Sequence, residues 1–150
     1  MKQISLTILN DEEWYLNIPE NYEKKPLPYF DKWIDALESG NYLQGKNRLC
    51  TEIDEKGTKS YCCLGVLSDV QNLLVHGRDC EISPHYLSRE NPNYSFFGEN
   101  GSFSPLYISN EKGKSINLLS EMNDEGFSFL EIAEVIKQTW KSEEKLDKPE

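Results

Sequence analysis

The sequence predicts a single α+β domain, with about four helices around a central apolar helix and a small antiparallel sheet. Three observations carry that expectation. Residues 61–74, YCCLGVLSDVQNLL, form the longest apolar run in an otherwise polar chain. At helical period Cys63, Leu67, Val70 and Leu74 share one stripe, Leu64 widens it, and the first two turns are apolar nearly all round. Elsewhere Phe30, Trp33, Ile34 and Leu37 recur at i, i+3, i+4 and i+7, while Ile4, Leu6 and Ile8 alternate with polar residues as in a half-buried strand.

Taken in order, the alternation at 4–8 gives the first strand. Residues 10–28 read as an irregular arm because Pro19, Pro26 and Pro28 interrupt them. A helix follows over about 29–39, with Gly40 as its C-cap. The stretch 52–60, EIDEKGTKS, reads as an exposed turn into the central helix at 61–75. In that helix Gly65 costs about 1 kcal/mol against alanine, and its missing side chain lets another backbone or a ligand come close. No element is assigned from His76 to Glu90. Tyr94, Phe96 and Phe97 before GENG, with Phe103, Leu106, Tyr107 and Ile108 after it, predict a hairpin around 98–101. Ser115 caps an expected helix to Met122, with Ile116, Leu119 and Met122 on one face. The last helix, about 129–141, is announced by Ser128 and Glu131 as a capping box and by Phe127 and Ile132 at staple positions. Ile132, Ala133, Ile136 and Trp140 make its apolar stripe, and 142–150 reads as a frayed charged tail.

The totals bound the function. A chain of 150 residues, 37% hydrophobic and 28% charged, fits one domain that buries about 70% of its unfolded surface without needing metal or disulfides. A net charge of −10 excludes a general nucleic-acid binder, since phosphate backbones are met by basic patches. A small phosphorylated ligand needs only two or three donors. No apolar run approaches the roughly 18 to 20 residues of a membrane span, and the N-terminus lacks signal-peptide features. The expected location is therefore cytoplasmic, with Cys50, Cys62, Cys63 and Cys80 as reduced thiols.

Those four cysteines, with His76 and His85, raise a zinc reading, but no closely spaced C-x2-C pair is present. Adjacent Cys62 and Cys63 diverge by about 100° on a helix. The expectation is small buried hydrophobes, no metal and no cofactor. Signatures for phosphate loops, dinucleotide folds, nucleophile elbows and zinc hydrolases are all missing. The most informative polar segment is Gln44-Gly45-Lys46-Asn47-Arg48. A guanidinium beside a glycine turn suits a phosphate, and a solvated basic loop fits the same residues. Candidate ligand-binding residues are Gln44, Lys46, Asn47 and Arg48, with Arg78 and Arg89 as the other arginines. Tyr42, Tyr61, Tyr86 and Tyr94 either stack on a base or wall the core.

The blocks WIDALESGNYLQG at 33–45, YCCLGVLSD at 61–69 and NDEGFSFLEIA at 123–133 resemble a family of small proteins of tailed bacteriophages and prophages. That family has largely lacked assigned function. The resemblance implies a phage accessory protein in the bacterial host cytoplasm. Two function classes follow from it. One is a non-enzymatic binder that sequesters a small nucleotide-type defence signal, and the other is an acidic inhibitor or DNA mimic that covers a basic host protein. A hydrolase of the same signal ranks third, because no catalytic group stands out. The sequence leaves the oligomeric state open.

Overall fold

The computed structural model describes residues 2–9, 12–22, 26–27, 29–82 and 102–142. Strands β1 (Lys2–Leu9) and β2 (Glu12–Ile18) pair antiparallel, and β2 pairs in turn with β9 (Ser102–Asn110), which pairs with β10 (Ser115–Leu119). This four-stranded antiparallel sheet turns Leu6, Trp14, Leu16, Ile18, Leu106, Ile108, Ile116 and Leu118 into the core. Their near-strict alternation along each strand is what a sheet with one buried face requires. Helices α1 (Phe30–Glu38), α2 (Cys63–Val70), α3 (Ser120–Asp124) and α4 (Phe129–Thr139) contribute Trp33, Leu37, Leu67, Met122 and Ile132 to the same cluster.

A second, five-stranded sheet is built from short pieces: β4 (Leu43–Gln44), β5 (Cys50–Glu52), β6 (Lys59–Tyr61), β7 (Leu74–Val75) and β8 (Asp79–Ile82), in the order β4-β6-β5-β8-β7. Only the β4–β6 pair is parallel. Strands β3 (Pro26–Leu27) and β11 (Lys141–Ser142) form a further two-stranded pair.

The expected helix-dominated domain with one small sheet is thereby corrected. The described residues hold four helices, but nine strands stand in the two larger sheets. The physical reasons are local. Strands of two or three residues are too short to display a period. In β2 the alternation of Trp14, Leu16 and Ile18 is broken by Asn17, which is buried yet satisfied. Its amide donates to Ser109 Oγ at 2.9 Å and to the Tyr15 carbonyl, and its oxygen accepts from Gln3 Nε2 at 2.7 Å. The expected helix over 115–122 is strand β10 as far as Leu119 and becomes helical only at Ser120. Ile116 and Leu119, three apart, suit the helical period, while Ile116 and Leu118, two apart, suit the strand period, and pairing with β9 decides between them.

The expected irregular arm over 10–28 holds strand β2, and the expected central helix over 61–75 is helical only over Cys63–Val70, with Tyr61 in β6 and Leu74–Val75 in β7. The ends of the first and last helices stand as expected. Helix α1 ends with Gly40 at φ +78°, the left-handed C′ position. Helix α4 has the complete capping box: Ser128 Oγ accepts from the Glu131 N–H at 3.2 Å, and Glu131 accepts from the Ser128 N–H at 2.8 Å. The hairpin expected around 98–101 and the tail at 143–150 lie outside the described residues.

Candidate functional site

Strand pairing in the second sheet sorts its side chains onto two faces. Cys50 lies opposite both Tyr61 and Cys80, and Glu52 lies opposite Lys59. Directly opposed residues share a face, and residues two apart along a strand share it too. Cys50, Tyr61, Lys59 and Cys80 therefore project together. Thr51, Ser60 and Asp79 take the other side.

On the first face a connected cluster forms. Tyr42 packs edge-on against Tyr61, with ring centroids 4.9 Å apart, and donates its hydroxyl to Asp69 Oδ2 at 2.5 Å. Burial, then the Asp69 carboxylate, holds the Tyr42 phenol well above its ordinary range. Asp69, in the last turn of α2, presents Oδ1 to His76 Nε2 at 3.6 Å. The other ring nitrogen, Nδ1, lies 3.0 Å from Lys59 Nζ and 3.6 Å from Cys80 Sγ, and Lys59 Nζ is 3.9 Å from the same sulfur. Lys59 has only donors, so its approach to Nδ1 suits the tautomer with the ring proton on Nε2, toward Asp69. Cys50 and Cys80 are bonded to each other across the ladder, with Cα atoms 5.0 Å apart.

These groups offer cationic donors, two aromatic edges and a sulfur pair. Sulfur, imidazole and carboxylate also occur in the order a thiol hydrolase uses. Here, however, Cys80 is bonded to Cys50, and Nδ1 is already engaged by Lys59.

The other thiols are of a different kind. Cys62 and Cys63 are free and buried, and burial is the main reason both are pushed above their ordinary value. They pack as hydrophobes at the start of α2, as expected. The expectation of reduced thiols fails only for Cys50 and Cys80, whose meeting is a matter of strand register that sequence spacing does not display.

A family model described as a domain of unknown function, DUF8296, matches residues 29–110. The chain belongs to the DUF8296 family. No curated protein matches it. No solved structure matches it. The DUF8296 range contains the whole Tyr42–Cys80 cluster and the first two of the three sequence blocks that carry the phage resemblance.

Those three blocks meet, at a node whose role is structural. Asn123, fully buried, accepts from the Cys63 N–H at 3.2 Å and from Gln44 Nε2 at 3.0 Å, and donates to the Gly45 carbonyl at 2.6 Å. Gln44 also donates to the Phe127 carbonyl and accepts the Phe129 N–H at the start of α4. Among the residues singled out for a ligand, Gln44 thus has both polar atoms engaged within the chain. The Asn47 N–H is taken by Asp124 Oδ1 at 2.9 Å, a carboxylate where a phosphate oxygen would sit. Arg48 lies 3.9 Å from Asp79, on the face opposite Lys59, with 62% of its side chain exposed. Lys46 and Arg78 are exposed as well. Among the described residues of that set, only Tyr42 and Tyr61 join the Lys59–His76 cluster. Tyr86, Arg89, His85 and Tyr94 lie outside the described residues.

Lys59, Asp69 and His76 were not singled out as ligand-binding residues. The signal available for them was His76-x3-Cys80, a spacing of donor residues that a search for C-x2-C pairs passes over. Away from this face, a shallow cavity of about 150 Å³ lies by Trp14, Lys114, Glu125 and Phe127, and one of about 310 Å³ by Glu12, Glu13, Asn110, Glu111 and Lys112. Pockets for drug-sized ligands run from about 300 Å³ upward, and the larger of these two is rimmed by carboxylates that repel phosphate.

Proposed function

We propose that this DUF8296 protein is a phage accessory protein that holds a small, anionic, nucleotide-type signal in a bacterial cytoplasm without cleaving it. One observation carries the reading: in a chain of net charge −10, Lys59 and His76 stand on the same sheet face as Tyr42 and Tyr61. The Lys59 ammonium, which has donors beyond the one it gives His76, can meet phosphate oxygens, and the Tyr61 ring, partly exposed beside it, can take a base edge-on. The bonded sulfurs and the engaged imidazole leave this cluster without an activated nucleophile, which favours holding over hydrolysis.

The test is calorimetric titration with cyclic and ADP-ribose-type nucleotides in the presence of a chelator. The expected result is binding that weakens about ten- to hundred-fold in Lys59→Ala, the loss of one charge-assisted contact, with ligand recovered intact after denaturation. A cleaved product would transfer the role to a hydrolase, and titrations silent across the panel would sink the reading.

A second reading has its own support. Glu12, Glu13 and Glu111 crowd one groove of the first sheet, an acidic surface that suits a basic host protein. Co-purification of such a partner, dissociating as salt rises, would favour it.

A further inference from the structure

We infer that Cys50, His76 and Cys80 form a binding site for a zinc-class divalent ion when the two sulfurs are reduced. The donor set is of the right chemistry: two thiolates and an imidazole select borderline-soft ions over calcium or magnesium. One donor atom from each residue lies within 4.8 Å of the other two. In a tetrahedral zinc site, bonds of about 2.3 Å to sulfur and 2.05 Å to nitrogen put those atoms about 3.5 Å apart. Cys80 Sγ and His76 Nδ1 are 3.6 Å apart.

The surroundings are those of a ligating histidine. With Nδ1 toward the sulfurs, Nε2 points at the Asp69 carboxylate, which is itself held by the Tyr42 hydroxyl. A carboxylate behind the imidazole fixes ring and tautomer in metal sites, and its loss costs tenfold to a hundredfold in affinity. The place beside the donors already attracts a cation, since Lys59 Nζ reaches both Nδ1 and Cys80 Sγ. Lys59 must swing aside on its flexible stem to admit an ion. His76, 45% exposed, gives the route in past sulfurs that are themselves buried. Three protein donors leave one position for water or an exogenous group.

The chemistry balances. A phosphine reduces the Cys50–Cys80 bond by two electrons, taking oxygen from water to leave as its oxide and giving two thiols. The ion then displaces both thiol protons to solvent. Oxidation to the disulfide and metal binding are therefore mutually exclusive states of the same pair.

The experiment titrates the full chain, reduced with a phosphine and free of nucleotide, with cobalt(II), followed by zinc competition. The expected result is one cobalt per chain with a thiolate-to-cobalt charge-transfer band that zinc abolishes. The band should vanish in Cys80→Ser and in His76→Ala, weaken tenfold to a hundredfold in affinity in Asp69→Asn, and persist in Cys62→Ser. Because His76 is on the surface, His76→Ala keeps the fold and the test remains decisive if Cys80→Ser does not fold. Lys59→Ala should bind cobalt at least as tightly as the parent, the opposite of its expected effect on nucleotide binding, so the two proposals fail separately. A reduced protein that develops no band, or a band that survives in His76→Ala, would overturn the site.

Discussion

The side-chain oxygen of Asn123 accepts the backbone N–H of Cys63 at 3.2 Å, tying α3 to the first turn of α2 across 60 positions of sequence. The first N–H groups of a helix have no partner within it, and here a buried amide supplies one. The same amide serves Gln44 and Gly45, so one buried side chain satisfies three partners. Asn123→Ala should cost about 3 kcal/mol, because each buried group left unpaired costs about 1 to 3 kcal/mol. Urea unfolding measures this. A loss below about 0.5 kcal/mol would mean that water or a rearranged Gln44 takes over the node.

Gly65 gives a prediction whose sign separates two causes. By helix propensity alone, Gly65→Ala should stabilise by about 1 kcal/mol. In the fold, however, a Cβ at this position would overlap the Leu49 carbonyl oxygen and press on its backbone. Backbone cannot step aside as a flexible side chain can, so the substitution should destabilise by about 3 kcal/mol, the upper end for overpacking. A rise in melting temperature would show that Leu49 does not pass so close to α2.

Legibility followed the length of the pattern. Helices α1 and α4 were readable because their stripes run over two or more turns and their ends carry Gly40 and the Ser128–Glu131 box. Strand β1 was readable from its alternation, and the closeness of a backbone to Gly65 from the missing side chain. The second sheet was not, because β4 to β7 are two or three residues long and hold together by pairing between segments. The candidate site inherits that opacity. Lys59, Cys50 and Cys80 come together through the register of β5, β6 and β8, with His76 joining them from the turn between β7 and β8, and register is a property of two segments that neither displays alone.

Arg48 separates a recognition role from a structural one. Its pairing with Asp79 is long and exposed, and such surface pairs contribute about 0 to 1 kcal/mol. Arg48→Ala should therefore leave the unfolding midpoint nearly unchanged. If the turn at 45–48 meets a phosphate, the same variant loses about ten- to hundred-fold in nucleotide affinity. If recognition belongs to the Lys59–His76 face, the affinity holds in Arg48→Ala and falls in Lys59→Ala. Titration of both variants with the nucleotide that the parent binds decides between the faces.

The buried thiols set a pH dependence. Cys62 and Cys63 titrate above their ordinary value of 9.0 in the folded chain, chiefly because burial disfavours the thiolate, and burial and the Asp69 carboxylate act likewise on Tyr42. The folded state therefore keeps protons that the unfolded chain releases. Their contribution is fully present below about pH 9 and falls as pH rises, because the unfolded chain then binds fewer protons. Urea midpoints should hold steady from pH 7 to about 8.5 and decline from pH 9 to 10.5. The decline should be shallower in Cys63→Ala, which removes the more deeply buried thiol. In the native protein both thiols should also resist alkylation at neutral pH while reacting fully in urea. A midpoint that rises with pH across this window would mean that these groups are more easily ionised in the fold than out of it.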